Sequence, residues 1–138
     1  MITIRKQEIV KLEDILHLYQ AVGWTNYTHQ PQMLEKALSH SLVIYLALDG
    51  DAVVGLIRLV GDGFSSVFVQ DLIVLPSYQR KGIGRALMKE ALEDYKDVYQ
   101  VQLVTEQTEK TLVFYRSMGF EILSTYNCIG MTWTNREK

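Results

Sequence analysis

Residues Ile2 to Arg5 alternate apolar and polar, the period of a half-buried strand, and the chain then changes to a helical stripe of Leu12, Ile15, Leu16 and Tyr19. Gly23-Trp24-Thr25-Asn26 breaks that stripe and reads as an aromatic loop. A second helix begins near Pro31, a residue suited to a first helical turn, with Leu34, Ala37 and Leu38 on its apolar face. From Leu42 the period shortens again. Leu42 to Leu48, Ala52 to Val60 and Ser66 to Leu75 are rich in Val, Ile, Leu and Phe, separated by Asp49-Gly50-Asp51 and Gly61-Asp62-Gly63. Asp-Gly between such runs is hairpin chemistry and predicts three sequential antiparallel strands, the last ended by Pro76.

Ile83, Leu87, Ala91 and Tyr95 then recur every fourth position and mark an amphipathic helix from about Gly82 to Lys96. Tyr99 to Thr105 alternates as a strand, and a further helix from about Glu109 to Met118 stops at Gly119. Phe120 to Trp133 is expected to hold two strands with a bend near Asn127 or Gly130. The predicted order is β-α-α-β-β-β-α-β-α-β-β, an α+β domain in which helices cover a mostly antiparallel sheet.

The length of 138 residues suits one domain, expected to span 1–138, and 48% hydrophobic residues supply a sizeable core. The 14 Lys+Arg against 16 Asp+Glu give a net charge of -2, which argues against a nucleic-acid partner. Cys128, the single cysteine, forms no intrachain disulfide and is expected to be a small strand hydrophobe; no run is long and apolar enough to cross a membrane. Met1 to Lys6 lacks the apolar stretch of a signal peptide, so a cytoplasmic location is expected. His17, His29 and His40 have no partners at ligand spacing, so no metal is expected.

One segment concentrates chemistry. Gln79-Arg80-Lys81-Gly82-Ile83-Gly84-Arg85-Ala86-Leu87-Met88-Lys89 holds four basic residues and no acid where a strand gives way to a helix, while Glu90, Glu93, Asp94 and Asp97 come only afterwards. That order opposes the helix dipole, so an anion is expected at the helix N-terminus. Gly82 and Gly84 remove side chains that would keep a ligand from the backbone, and first-turn N–H groups can cradle phosphate oxygens. A nucleoside-triphosphate loop would need Gly-x-x-x-x-Gly-Lys-Ser/Thr, and a dinucleotide loop a third glycine where Leu87 stands.

Together with Leu72-Ile73-Val74-Leu75-Pro76 before it, this stretch resembles the acyl-CoA motif of the GNAT superfamily of N-acetyltransferases, Gln/Arg-x-x-Gly-x-Gly/Ala after a strand. Phe114-Tyr115-Arg116-Ser117-Met118-Gly119-Phe120 is similar to the superfamily's second signature, and the element order matches the whole fold. The resemblance implies that the pantetheine arm of acetyl-CoA pairs like an extra strand with Leu72, Ile73 and Val74. It also implies that Arg80, Lys81, Gly82, Ile83, Gly84 and Arg85 hold the pyrophosphate. The family often has Asn where this chain has Thr108, seven residues before Tyr115.

Acetyl transfer to an amine requires an oxyanion site, a proton for the departing thiolate and a neutral acceptor. Backbone N–H groups around Ile73 and Val74 are expected to polarise the carbonyl. Tyr115, protonated at neutral pH, is the expected acid. Asp71 stands in an apolar run and has two readings: it binds or deprotonates the acceptor amine, or it pairs with a basic neighbour such as Arg58. Trp24 and Tyr27 are either walls of the acceptor pocket or aromatics closing a helix hairpin. The acceptor is expected to be a primary amine on a small molecule; a protein N-terminus or lysine, and a non-catalytic acyl-CoA-binding module, are the competing readings. A homodimer is left open.

Overall fold

The chain is described by a computed structural model over residues 1–134, which divides into two compact units, Met1–Leu103 and the residues from Val104 onward. In the first, five strands follow one another across a sheet in sequence order: β1 (Ile2–Gln7), β2 (Val43–Asp49), β3 (Ala52–Gly61), β4 (Val67–Val74) and β5 (Val101–Leu103). The first three pairings are antiparallel and the last is parallel. A mixed, mostly antiparallel sheet flanked by helices is therefore present, as the α+β reading expected.

Alternation along β2 assigns the two faces. Ile44 and Leu46 join Leu56 and Ile73 in a core with Ile15, Leu18 and Tyr19 of α1 (Leu12–Ala21) and with Leu34 and Leu38 of α3 (Pro31–Ser39). Between these helices, the aromatic loop contains a short helix, α2 (Thr25–Thr28), which carries Tyr27 into the same core. Tyr45 points to the opposite face, where its hydroxyl donates to Asp94 of α4 (Ile83–Asp94) at 2.5 Å. A Cβ on Gly55 would meet Ile73 O at 3.1 Å and Leu87 Cδ1 at 3.3 Å, so α4 lies close on the sheet at that point.

One irregularity positions everything that follows. Arg58 pairs with Asp71, but Leu59 pairs with Val69, so Gln70 is an extra residue on β4. Such a bulge sharpens the local twist. Pairing with β5 ends at Val69 opposite Leu103, and β4 runs on to Val74 with β3 on one side and no β5 residue on the other. The strand expected over Tyr99–Thr105 is confined to three residues.

In the second unit, α5 (Glu109–Ser117) is capped by Thr108, whose hydroxyl accepts from the Thr111 amide at 3.2 Å. Gly119, at φ 97°, ends the helix as expected. The two strands expected in Phe120–Trp133 are not formed: Leu123–Tyr126 is a 3-10 turn, closed by Asn127 in the left-handed region at φ 60°, and no strand follows β5 among the described residues. The apolar positions Ile122, Leu123 and Tyr126 lack strand alternation, and Asn tolerates the left-handed turn. Cys128 is accordingly exposed and outside any strand, contrary to expectation. No helix among the described residues is long and apolar enough to cross a membrane.

Candidate functional site

The open edge of β4 is defined by its hydrogen bonds. The Leu75 N–H donates to Val54 O at 2.9 Å on the β3 side. Peptide groups alternate in direction along a strand, so Ile73 also faces β3, while the amides of Leu72 and Val74 face the open edge. This corrects the expectation for Ile73 as a carbonyl-polarising donor: its amide is committed to the sheet and its side chain is 1% exposed in the core. The Val74 carbonyl on that edge accepts from Gln79 Nε2 at 3.1 Å.

After a 3-10 turn at Pro76–Tyr78 the chain enters the basic loop. Arg80 and Gly82 both adopt left-handed conformations, with φ 65° and 81°. Gly82 is the N-cap of α4 and has nothing within 4 Å of the position a Cβ would take. No side chain among the described residues caps the helix. The amides that open α4 lie before any intrahelical acceptor, and successive N–H groups in such a turn form an anion-binding concavity. Lys81 and Arg85 are exposed beside it. A phosphate-bearing ligand with an extended amide arm fits this arrangement: the cradle suits the phosphates, and the Leu72 and Val74 edge suits the arm.

Asp71 is 3% exposed and surrounded by donors. Arg58 Nε donates to Oδ2 at 2.7 Å, Tyr19 Oη to Oδ2 at 2.8 Å and Tyr27 Oη to Oδ1 at 3.0 Å. Arg58 further donates to Tyr27 Oη at 3.2 Å and to Ser41 Oγ at 3.2 Å. Burial and the neighbouring Asp71 push both phenols above their ordinary range, so they remain donors. Of the two readings for Asp71, the geometry favours the paired one. Tyr27 belongs to the same network and is 8% exposed, which favours its role in closing the helix hairpin. Trp24 is half-buried, with its ring centroid 6.0 Å from that of Tyr19 and 6.3 Å from that of Tyr27. The sequence signal for this network was Asp71 inside an apolar run; Tyr19, 52 positions earlier in the sequence, carried no such signal.

In the second unit, Tyr115 is half-buried between Phe114 and Phe120, with ring centroids 5.0 and 5.9 Å away. Burial raises its phenol above the ordinary value, against a smaller opposing effect from a hydrogen bond with Thr105. Thr108, where the family often has Asn, is engaged in capping α5. His17 Nε2 contacts Val53 O at 2.8 Å, and no group of three His, Cys, Asp or Glu among the described residues is arranged to hold a metal.

A family model described as an acetyltransferase (GNAT) domain matches residues 40–122, which contain β2 to β5, the basic loop, α4 and α5. A solved GNAT-family acetyltransferase from Streptococcus pneumoniae TIGR4 is 81% identical, with a TM-score of 0.91 and 99% of each chain covered. The chloroplastic serotonin N-acetyltransferase 2 of Oryza sativa subsp. japonica is 35% identical over 97 residues, 66% of this chain and 48% of that protein. The chain thus spans about half the length of that curated relative. PaiA N-acetyltransferase from Thermoplasma acidophilum, solved in complex with coenzyme A, shares the fold at a TM-score of 0.70 and 18% identity, over 87% of this chain and 91% of that one. With its fold, its strand-loop-helix motif and the matched family model in agreement, the chain belongs to the GNAT acetyltransferase family.

Proposed function

We propose that residues 1–138 work as one cytoplasmic catalytic domain that moves the acetyl group of acetyl-CoA to a primary amine of a small molecule. The observation that carries this reading is the edge of β4 at Leu72 and Val74, beyond the end of its pairing with β5, which leads through one turn to the glycine-containing basic start of α4. When bound, acetyl-CoA supplies an activated acetyl group. Leu72 and Val74 offer N–H donors to the pantetheine arm and the thioester oxygen. Arg80, Lys81 and Arg85, with the amides of Gly82, Ile83 and Gly84, hold the pyrophosphate.

Tyr115 gives its phenolic proton to the departing thiolate as the new C–N bond forms and the C–S bond breaks; the acceptor nitrogen loses its proton to water. Trp24 is a wall of the acceptor pocket. Asp71 and Tyr27 act behind that wall by holding α1 and α2 on the sheet. The serotonin named for the rice relative supports a small amine as acceptor.

Two measurements test the reading. Acetyl-CoA should raise the melting temperature more than ATP or NAD, because it alone combines phosphates for the loop with an arm for the strand. Equal stabilisation by ATP would overturn the cofactor assignment. Thiol release from acetyl-CoA over a panel of small amines and peptides should be fastest with small amines. Faster turnover of peptides would move the acceptor to protein, and no turnover with intact CoA binding would indicate a binding module.

A further inference from the structure

Tyr78 lies outside the loop that would touch the phosphates, yet it is fixed at both ends. Its amide donates to Leu75 O at 2.8 Å in the turn that follows β4. Its hydroxyl donates to Asp49 Oδ2 at 2.6 Å, at the end of β2 beside the β2–β3 hairpin. The hydrogen bond to Asp49 is also the main reason its phenol lies above the ordinary range, and it secures the proton for donation. Against this fixed ring stands Lys81, whose Nζ is 5.4 Å from the ring centroid, within cation–π distance.

Lys81 separates the two left-handed residues Arg80 and Gly82, so the ammonium held by the ring is carried by the backbone turn that leads into α4. A lysine side chain left free samples many rotamers and loses that freedom on binding an anion. A lysine already resting on an aromatic face has lost part of it beforehand. The hydroxyl also engages Asp49, whose other carboxylate oxygen lies 3.9 Å from the N-terminal ammonium.

We propose that Tyr78 is a positioning residue, braced by Asp49, that presents the Lys81 ammonium to the phosphates of the bound nucleotide. The inference rests on the acetyl-CoA reading above. It adds a strut from the β2–β3 hairpin to the loop, and it makes part of the phosphate affinity a property of residues that never touch phosphate.

The test uses the full chain and titrates CoA and pantetheine into wild type, Tyr78→Leu, Lys81→Ala, the double variant and Asp49→Asn, with melting temperature recorded for each. Tyr78→Leu should weaken CoA about two- to fivefold, the range of an exposed cation–π contact, and leave pantetheine, which has no phosphate, unchanged. The loss should shrink at high salt, and Tyr78→Leu should add nothing in the Lys81→Ala background. Asp49→Asn, which keeps an acceptor for the hydroxyl, should stay near wild type.

Equal weakening of CoA and pantetheine would show a merely structural role and overturn the inference. So would fully additive losses in the double variant, or wild-type CoA affinity in a folded Tyr78→Leu protein. CoA binding by the wild type with no effect of Tyr78 would remove this inference alone. No CoA binding by the wild type would remove the acetyl-transfer reading and this inference with it.

Discussion

Asp71 Oδ2 lies 2.7 Å from Arg58 Nε across the β3–β4 pair, with both residues nearly sealed from solvent at 3% and 4% exposure. Removing one partner strands the other charge in the core. Asp71→Ala or Arg58→Ala should each cost about 3–5 kcal/mol in urea denaturation, while Arg58→Met combined with Asp71→Leu should cost clearly less than the sum. Asp71→Asn should lose stability without abolishing turnover per folded molecule. Loss of turnover in a protein of wild-type stability would instead return Asp71 to the acceptor chemistry.

Asp62 makes acid stability sensitive at the β3–β4 turn. Its carboxylate accepts from the Ser65 hydroxyl at 2.6 Å and from the amides of Phe64, Ser66 and Ser65 at 2.7, 3.1 and 2.8 Å, which together hold its pKa well below the ordinary carboxylate value. A depressed folded pKa means that the unfolded chain binds the proton first. The stabilisation is therefore complete above the ordinary carboxylate range and declines as pH falls toward the folded value. Asp62→Ala should be destabilised near neutral pH, and its deficit against wild type should narrow below about pH 4. A deficit independent of pH would show that shape rather than charge sets the turn.

Tyr115→Phe removes one oxygen and keeps the ring between Phe114 and Phe120. CoA affinity and melting temperature should change little, while turnover should fall at least about a hundredfold where acetyl transfer limits the rate. Because burial raises this phenol, wild-type activity should persist to the alkaline side of the ordinary tyrosine range before the acid is lost. Full turnover in the Phe variant would remove Tyr115 from catalysis.

Gly84→Asp brings a side chain and a negative charge to the start of α4 and should weaken CoA by about tenfold or more, the order expected when a charge-assisted contact worth roughly 1.5–3 kcal/mol is lost. Gly82→Ala tests the backbone instead. Its Cβ meets no neighbour, but the φ of 81° would strain any L-residue, by roughly 1–2 kcal/mol. The variant should melt lower and bind CoA more weakly. Unchanged affinity in both would move the anion site elsewhere.

The hairpin strands and the basic loop were legible because their signals are local: Asp-Gly turns, period-two apolar runs, and two glycines among cations within a few residues. The Asp71 network was legible only at its centre. A carboxylate in an apolar run announces that it needs partners, and Arg58 was near enough in sequence to be named. Tyr19 and Tyr27 had equally ordinary places on a helix and in an aromatic loop. Their hydroxyls meet Asp71 only when the chain folds across sequence separations of 52 and 44 residues. Alternation over Tyr99–Thr105 overstates β5, which pairs with β4 at three residues only, and at Leu123–Tyr126 apolar content without alternation gives way to a 3-10 turn closed by the left-handed Asn127.

The extra residue Gln70 also sets the parity of β4. Val67, Val69, Asp71 and Ile73 are all buried at every second position, which in an unbroken strand would place them on one face. The register divides them instead. Val67 and Val69 lie across from Gly61 and Leu59, on the α4 side, whereas Asp71 and Ile73 lie across from Arg58 and Leu56, on the side of α1 and α2. Deleting Gln70 would turn Asp71 beneath α4, leave the Arg58 charge among Tyr19 and Tyr27, and exchange which amides look out of the sheet at Leu72 to Val74. The length of this stretch is therefore fixed to the single residue.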